Sequence, residues 1–206
     1  STGLRLILWW FFKKVVIADS LAIPVDDIFT SYNTLGGETL FLGIIFFSFQ
    51  IYCDFSGYSD IAIGLSRCMG IRLMSNFKFP YFSRNISEFW RRWHISLSTW
   101  FRDYLYIPLG GSSLKTSLTI RNVGVVFLIS GLWHGANWTF VVWGMTHFIY
   151  YIPEYLLKAN RTYFSPSLLP SFSFSFIKQI FLQLKTFSLV AFGWIFFRSE
   201  SVSMAF

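Results

Sequence analysis

The sequence has 206 residues, of which 54% are hydrophobic and 13% charged, and its formal net charge is +7. The charged share is about half that of an ordinary soluble domain, while 26 Phe, 10 Tyr and 9 Trp raise the aromatic share to 22%. A soluble domain of this length must keep a wettable surface, so this composition excludes one and predicts an integral membrane protein. Lys and Arg are spread between apolar runs, which suits anionic lipid headgroups better than a nucleic-acid-binding groove.

The apolar runs predict an all-α fold, a polytopic bundle of transmembrane helices. Residues 4–23 are apolar but interrupted by Lys13 and Lys14, which indicates either two short pieces or one interfacial helix. Residues 26–38 are predicted to form an exposed loop. Residues 39–65 follow as a span long enough to cross the roughly 30 Å hydrocarbon layer.

The remainder of the chain begins with a basic connection at residues 67–80. Residues 85–106 predict an amphipathic helix that lies in the membrane interface or re-enters the bilayer. Residues 123–152 predict one broken span or two short ones. A Ser- and Pro-rich loop at residues 160–175 and a last apolar helix at residues 177–197 complete the prediction.

The amphipathic helix is predicted from its capping and its periodicity. Asn85 followed by Glu88 resembles a capping box at a helix start. His94 points toward the apolar side, and a surface helix whose histidine is satisfied by a headgroup or a backbone carbonyl stays an alternative. The apolar side recurs at three- and four-residue steps, and it consists of Ile86, Trp90, Trp93, Leu97, Trp100 and Tyr104.

His134 lies between two apolar runs, where an ionisable side chain indicates a functional site. A neutral imidazole there could take the proton of a hydroxyl and so act as a general base. His147 follows thirteen residues later, a spacing that does not place the two on one helical face, and we interpret it as a packed or interfacial residue. No acidic or cysteine ligand accompanies these histidines at a useful spacing, so no metal site is predicted.

Two carboxylates, Asp54 and Asp60, interrupt the predicted span at residues 39–65. A carboxylate in lipid must pair with a cation, accept several hydrogen bonds or stay protonated. The arginines of the amphipathic helix, Arg91, Arg92 and Arg102, are the expected partners because guanidinium groups bind carboxylates through two bonds. The pairing could hold helices in register or serve catalysis.

Four motifs carry a family resemblance. Residues 52–64 (YCDFSGYSDIAIG) resemble the membrane-bound O-acyltransferases, and residues 88–111 (EFWRRWHISLSTWFRDYLYIPLGG) are similar to their alginate O-acetyltransferase branch. Residues 131–140 (GLWHGANWTF) resemble the catalytic segment of that branch, and residues 193–198 (GWIFFR) resemble its late motif. Family members are normally more than twice this length, so the resemblance implies that residues 1–206 are a single transmembrane domain, the C-terminal half of the fold, truncated at both ends.

The resemblance implies a transferase that moves an acyl group, expected to be acetyl, onto an exported alginate-like polysaccharide or its relay protein. His134 matches the essential histidine of the family and is expected to be the general base. His94 matches a second histidine, which could orient a substrate or stabilise the oxyanion. Trp133, Asn137 and Trp138 are expected to line the same pocket.

The donor is expected to be acetyl-CoA or another acyl thioester, with no bound cofactor. Arg91 and Arg92 could hold its phosphates through bidentate contacts, although lipid headgroups would satisfy them equally well. Asp54 is also expected to contribute to substrate binding. The expected partners are membrane lipids, the acyl donor, and a polysaccharide or a periplasmic acetyltransferase partner, with no nucleic acid. The expected location is the bacterial inner membrane, crossed several times.

Three alternatives stay open. The D-alanyl-transfer branch shares the Trp-His patterns but resembles the chain less closely at residues 103–111. A secondary transporter also uses polar residues and broken helices near the membrane midplane. A non-enzymatic membrane scaffold would explain the aromatic content without using His134.

Overall fold

The computed structural model describes residues 2–112, 115–161 and 174–205. The regular structure of these residues is entirely helical, with no strand among them, which confirms the predicted all-α class. Among the described residues, three helical segments are long and apolar enough to cross a membrane: Gly37–Cys68, Thr116–His134 and Phe176–Arg198. The chain divides into two compact units, Ser1–Phe77 and Lys78–Phe206, and the single domain proposed from the sequence stays a prediction.

The first unit packs a helical run against one long helix. Helix α1 (Thr2–Phe11), a π-helical segment (Phe12–Ala18) and helix α2 (Asp19–Thr30) follow one another without a break and contact α3 (Gly37–Cys68). The predicted span lies within α3. The exposed loop predicted at residues 26–38 is wrong in its first part, because α2 continues through residues 26–30, where no glycine or proline ends the helix.

The carboxylates of α3 pair with lysines of the π-helical segment. Lys13 Nζ lies 2.6 Å from Asp60 and also donates to Ser56. Lys14 Nζ lies 2.8 Å from Asp54. The expected arginine partners are therefore wrong, since the helical run packs its own two lysines along α3. This arrangement supports the register-holding interpretation of the carboxylates.

The second unit contains α4 (Ile86–Arg92), α5 (Ile95–Phe101), a π-helical segment (Arg102–Tyr106) and helices α6 to α8. The continuous amphipathic helix predicted at residues 85–106 is wrong, because it breaks at His94, whose φ of 44° is left-handed. Helices α4 and α5 therefore do not share one axis, and the predicted apolar residues do not form one continuous surface. Trp93 is 4% exposed, whereas Trp100 is 53% exposed.

Side-chain oxygens of Asn85 and Glu154 accept hydrogen bonds from the backbone amides of the first turn of α4. The Asn85 side chain accepts a hydrogen bond of 2.6 Å from the Glu88 amide, which confirms the predicted cap, whereas the Glu88 carboxylate binds Arg84 and Arg92. Burial alone would raise the pKa of Glu88, but the hydrogen bonds from Arg84 and the charge of Arg92 hold it below its ordinary value. Glu154 accepts from the amides at the start of α4, at 2.7 and 3.0 Å.

Helices α6 (Thr116–His134) and α7 (Trp138–Leu156) form the two short helices predicted at residues 123–152. Helix α8 (Phe174–Arg198) contains the predicted last apolar helix and packs on α7. The predicted loop at residues 160–175 lies mostly outside the described residues, which resume at 174.

Two glycines let the backbones of α6 and α7 approach closely. A methyl group at Gly131 would overlap the carbonyl oxygen of Phe140, and one at Gly144 would overlap that of Phe127. Small residues are the usual means of bringing helices together in a membrane, where burial from water gives no driving force.

We predict that Gly131→Ala lowers the free energy of unfolding by about 1–3 kcal/mol, because the added methyl must push α7 away. Thermal unfolding of the full-length protein in detergent measures this effect. Gly37→Ala is the matched control, since no atom lies within 4 Å of the added methyl. Equal midpoints for the two variants would contradict the close contact.

Candidate functional site

His134 ends α6 at the point where the chain turns through residues 135–137 into α7. Its half-buried ring is surrounded by aromatic side chains, with centroid distances of 5.0 Å to Trp133, 5.1 Å to Trp143 and 5.0 Å to Phe197. None of the described residues forms a hydrogen bond with this ring. The arrangement presents an imidazole whose nitrogens are available to a bound substrate.

His94 joins the same site through Trp133. The Trp133 ring lies 6.1 Å from His94 as well as beside His134. Burial, with a smaller contribution from His134, lowers the pKa of His94 from its ordinary 6.5 to about 4. His94 is therefore neutral near pH 7, a form with one N–H donor and one acceptor nitrogen.

The backbone of His94 is strained. A side chain other than glycine in the left-handed region costs on the order of 1 kcal/mol and needs support from its surroundings. His94 has φ 44° and ψ 56° at the N-terminus of α5. His94 lies between the end of α4 at Arg92 and the start of α5 at Ile95. The strained backbone position is thus a predicted site residue.

The other residues predicted near His134 differ in their contacts. Asn137 caps α7 by accepting from the Thr139 amide at 3.1 Å, and it donates to the Glu200 carbonyl at 2.9 Å. Trp138 is 75% exposed, and in the described part of the chain its ring contacts neither histidine. Their role in substrate binding stays a prediction, whereas Trp133 does contact both imidazoles.

The predicted arginines separate into two environments. Arg91 lines a cavity of about 360 Å³ between α4, α5, α6 and α7, and Arg102 also lines it. Arg92 instead pairs with Glu88. The complete lining is Ser87, Trp90, Arg91, Ser98, Arg102, Tyr106, Val123, Val126, Phe127, Tyr151 and Asn160.

Asp54, the remaining predicted site residue, belongs to the first unit and is paired with Lys14. Its role in substrate binding stays a prediction. Within residues 2–112, 115–161 and 174–205, no group of three or more His, Cys, Asp or Glu side chains could hold a metal ion.

Sequence reasoning missed the aromatic wall of the site. Trp143 and Phe197 both contact His134, but neither was predicted as a site residue. Phe197 belongs to the late motif at residues 193–198. That motif is the sequence feature that could have identified it as a site residue. Trp143 is one of nine tryptophans, and nothing in its local sequence distinguishes it.

Comparisons with known proteins agree with the motifs. The chain is 47% identical over its full length to a probable alginate O-acetylase of Pseudomonas fluorescens, of which it covers 39%. It is 42% identical over its full length to a peptidoglycan O-acetyltransferase of Helicobacter pylori, of which it covers 37%. Over 97% of its length it is 33% identical to a teichoic acid D-alanyltransferase of Bacillus subtilis, of which it covers 51%.

The chain thus spans between about a third and a half of the length of these relatives. The model of one protein family, described as the membrane-bound O-acyltransferase family, matches residues 2–167. This match covers well over half of the 206 residues, and the chain belongs to the membrane-bound O-acyltransferase family.

Proposed function

We propose that the protein containing this chain transfers an acetyl group from a thioester donor to a hydroxyl of an exported polysaccharide or to its relay protein. The observation that carries this proposal is the His134 imidazole, held at a helix break among aromatic rings and without a hydrogen-bond partner among the described residues. The O-acetylating relatives at 47% and 42% identity support acetyl as the acyl group.

The proposed chemistry moves one proton and one acyl group. A nitrogen of neutral His134 accepts a hydrogen bond from the acceptor hydroxyl and takes its proton as the oxygen attacks the thioester carbonyl carbon. The carbon–sulfur bond of the tetrahedral intermediate then breaks. His134 returns the proton to the departing sulfur, which leaves as a thiol. The reaction needs no oxidant, reductant or metal.

His94 has a supporting role in this proposal. Its pKa of about 4 leaves it neutral at physiological pH, so it can donate its N–H to the carbonyl oxygen on which negative charge develops. Trp133 contacts both rings, which supports assigning the two histidines to one reaction.

The cavity lined by Arg91 and Arg102 is the proposed site for the phosphates of a coenzyme A donor. Guanidinium groups bind phosphate through paired hydrogen bonds, and the aromatic and aliphatic walls fit the uncharged arm of such a donor. Arg92 is not part of this proposal because it does not line the cavity and pairs with the largely buried Glu88. Arg102 pairs with the exposed Asp103, at 2.7 Å, and Arg91 donates to the Asn160 carbonyl at 3.0 Å, so a phosphate would compete with these contacts.

We further propose the bacterial inner membrane as the location, with several crossings. The three candidate membrane-spanning helices support this placement. D-alanyl transfer would use the same base, but the relative with that activity is less similar, at 33% identity. Family membership favours a transferase over a transporter or a scaffold.

We predict that His134→Ala in the full-length protein lowers acyl transfer about 10²- to 10⁴-fold, because the general base is lost. His134→Gln, which keeps a polar side chain of similar size without a basic nitrogen, should lose as much. Transfer is measured beside membrane insertion and the unfolding midpoint, both expected to be normal. Retained transfer would remove the general-base role, and lost insertion would indicate a structural one.

The low pKa of His94 predicts a pH-dependent stability. Between about pH 6.5 and about pH 4 the unfolded chain binds a proton at His94 that the folded protein does not, so the free energy of unfolding falls as the pH is lowered. His94→Asn removes this contribution and suits the left-handed backbone. The variant should therefore lose less stability than wild type from about pH 7 to about pH 4.5 in thermal unfolding. Parallel pH curves would contradict a buried neutral His94.

We predict that Arg91→Gln and Arg102→Gln each raise the KM for acetyl-CoA about tenfold with little change in kcat. Each arginine is expected to bind the donor equally well in the ground state and in the transition state, so its loss weakens binding without slowing the chemical step. The control is Lys185→Gln, an exposed position in α8 that loses the same charge outside the cavity. An unchanged KM, with activity that instead responds to anionic lipid in proteoliposomes, would assign the cavity to a lipid headgroup.

A further inference from the structure

His147 is a fully buried imidazole without a hydrogen bond. Its exposure is 0%, and neither Nδ1 nor Nε2 finds a partner among the described residues. The rings of Phe89 and Phe127 lie nearly parallel to it, with centroids at 6.3 and 6.4 Å. The sequence-based interpretation of His147 as a packed residue is therefore confirmed, but packing alone does not require an imidazole.

Two indole N–H groups beside His147 are also unsatisfied. Trp90 and Trp143 lie at 5.1 and 5.3 Å from the imidazole, and the Nε1 atom of each is buried without a partner in the described part of the chain. A neutral imidazole has one acceptor nitrogen, which is complementary to an indole N–H. Buried polar groups left unpaired cost stability, so an apolar side chain at position 147 would suit packing better.

Trp143 links His147 to the proposed general base. Its ring lies 5.1 Å from His134 at an interplanar angle of 88° and 5.3 Å from His147 at 71°. Trp143 is only 1% exposed. A change in the orientation of this ring therefore moves the wall against which His134 rests.

The position of His147 is itself closely defined. A methyl group added to Gly193 of α8 would lie 2.8 Å from Nε2. Because residue 193 is a glycine, the α8 backbone lies close to the imidazole and leaves the ring little room to change its orientation.

We propose that His147 is a positioning residue, which acts through the Trp143 ring to orient His134 for proton transfer. Its imidazole packs edge to face against that ring, and its acceptor nitrogen attracts the indole N–H without forming a hydrogen bond. This role rests on the proposed function, because it assumes that His134 is the general base. His147 itself touches neither substrate nor the reacting atoms. It is kept at a cost in stability because it fixes the ring between the two histidines.

The test compares His147→Leu with His147→Gln in the full-length protein. Leu removes the polar atoms at similar volume, so kcat should fall about tenfold while the KM values of both substrates stay within about twofold. The unfolding midpoint should be equal to or above that of wild type, because the unpaired polar atoms are gone. Gln, which can still accept from an indole N–H, should recover more than half of the lost kcat.

Phe89→Leu is the matched control, since it loosens the same cluster without removing a polar atom. It should lower the midpoint and leave kcat within about twofold of wild type. Three results would overturn the positioning role: an unchanged kcat in His147→Leu, a lowered midpoint in that variant, or no recovery with Gln. His134→Ala is assayed beside these variants. Retained transfer there overturns the proposed function, whereas normal kcat in His147→Leu with lost transfer in His134→Ala overturns only the positioning role.

Discussion

The close contact of α6 and α7 at Gly131 and Gly144 sets the position of the other parts of the site. In a membrane, apolar surface is as well solvated by lipid as by protein, so backbone proximity and polar contacts must hold helices together. This contact fixes the register of α7 and thereby places Trp143 beside His134. The same helix carries Glu154, which caps α4, and α4 leads directly to His94.

Several polar groups of the second unit hold its helices in place. Glu88 and Glu154 are engaged by several donors each, and the Asn122 side chain donates to the Leu109 carbonyl at 2.9 Å. The two glutamates hold the start of α4, and Asn122 holds the turn at Leu109 against α6. His134 and His147 lack such partners among the described residues. The hydroxyl groups of Ser83, Thr119 and Thr139 are also buried without a partner in the described part of the chain. An unpaired polar group therefore does not by itself mark a functional site, and the assignment of His134 rests on its place among aromatic rings at the helix break.

Long apolar runs and their interruptions were sufficient to predict α3, α8 and the break between α6 and α7, because hydrophobic length and glycine placement are local properties. The break at His94 was not predictable in this way, since the apolar periodicity of residues 86–104 continues through it and backbone handedness leaves no trace in that pattern. The lysine partners of Asp54 and Asp60, and the presence of Arg102 rather than Arg92 at the cavity, depend on tertiary packing. The motifs did identify the two histidines that Trp133 joins.

The shared environment of His94 and His134 also limits how much charge the site holds. Part of the lowering of the His94 pKa comes from His134, so a proton on His134 makes protonation of His94 still less favourable. Acyl transfer from a thioester to an alcohol moves a single proton, from the hydroxyl to the departing sulfur. In the proposed reaction His134 carries that proton while His94 stays neutral and therefore remains a hydrogen-bond donor. Two imidazoles that resist double protonation are therefore suited to a base and a neutral hydrogen-bond donor, and poorly suited to paired cationic roles.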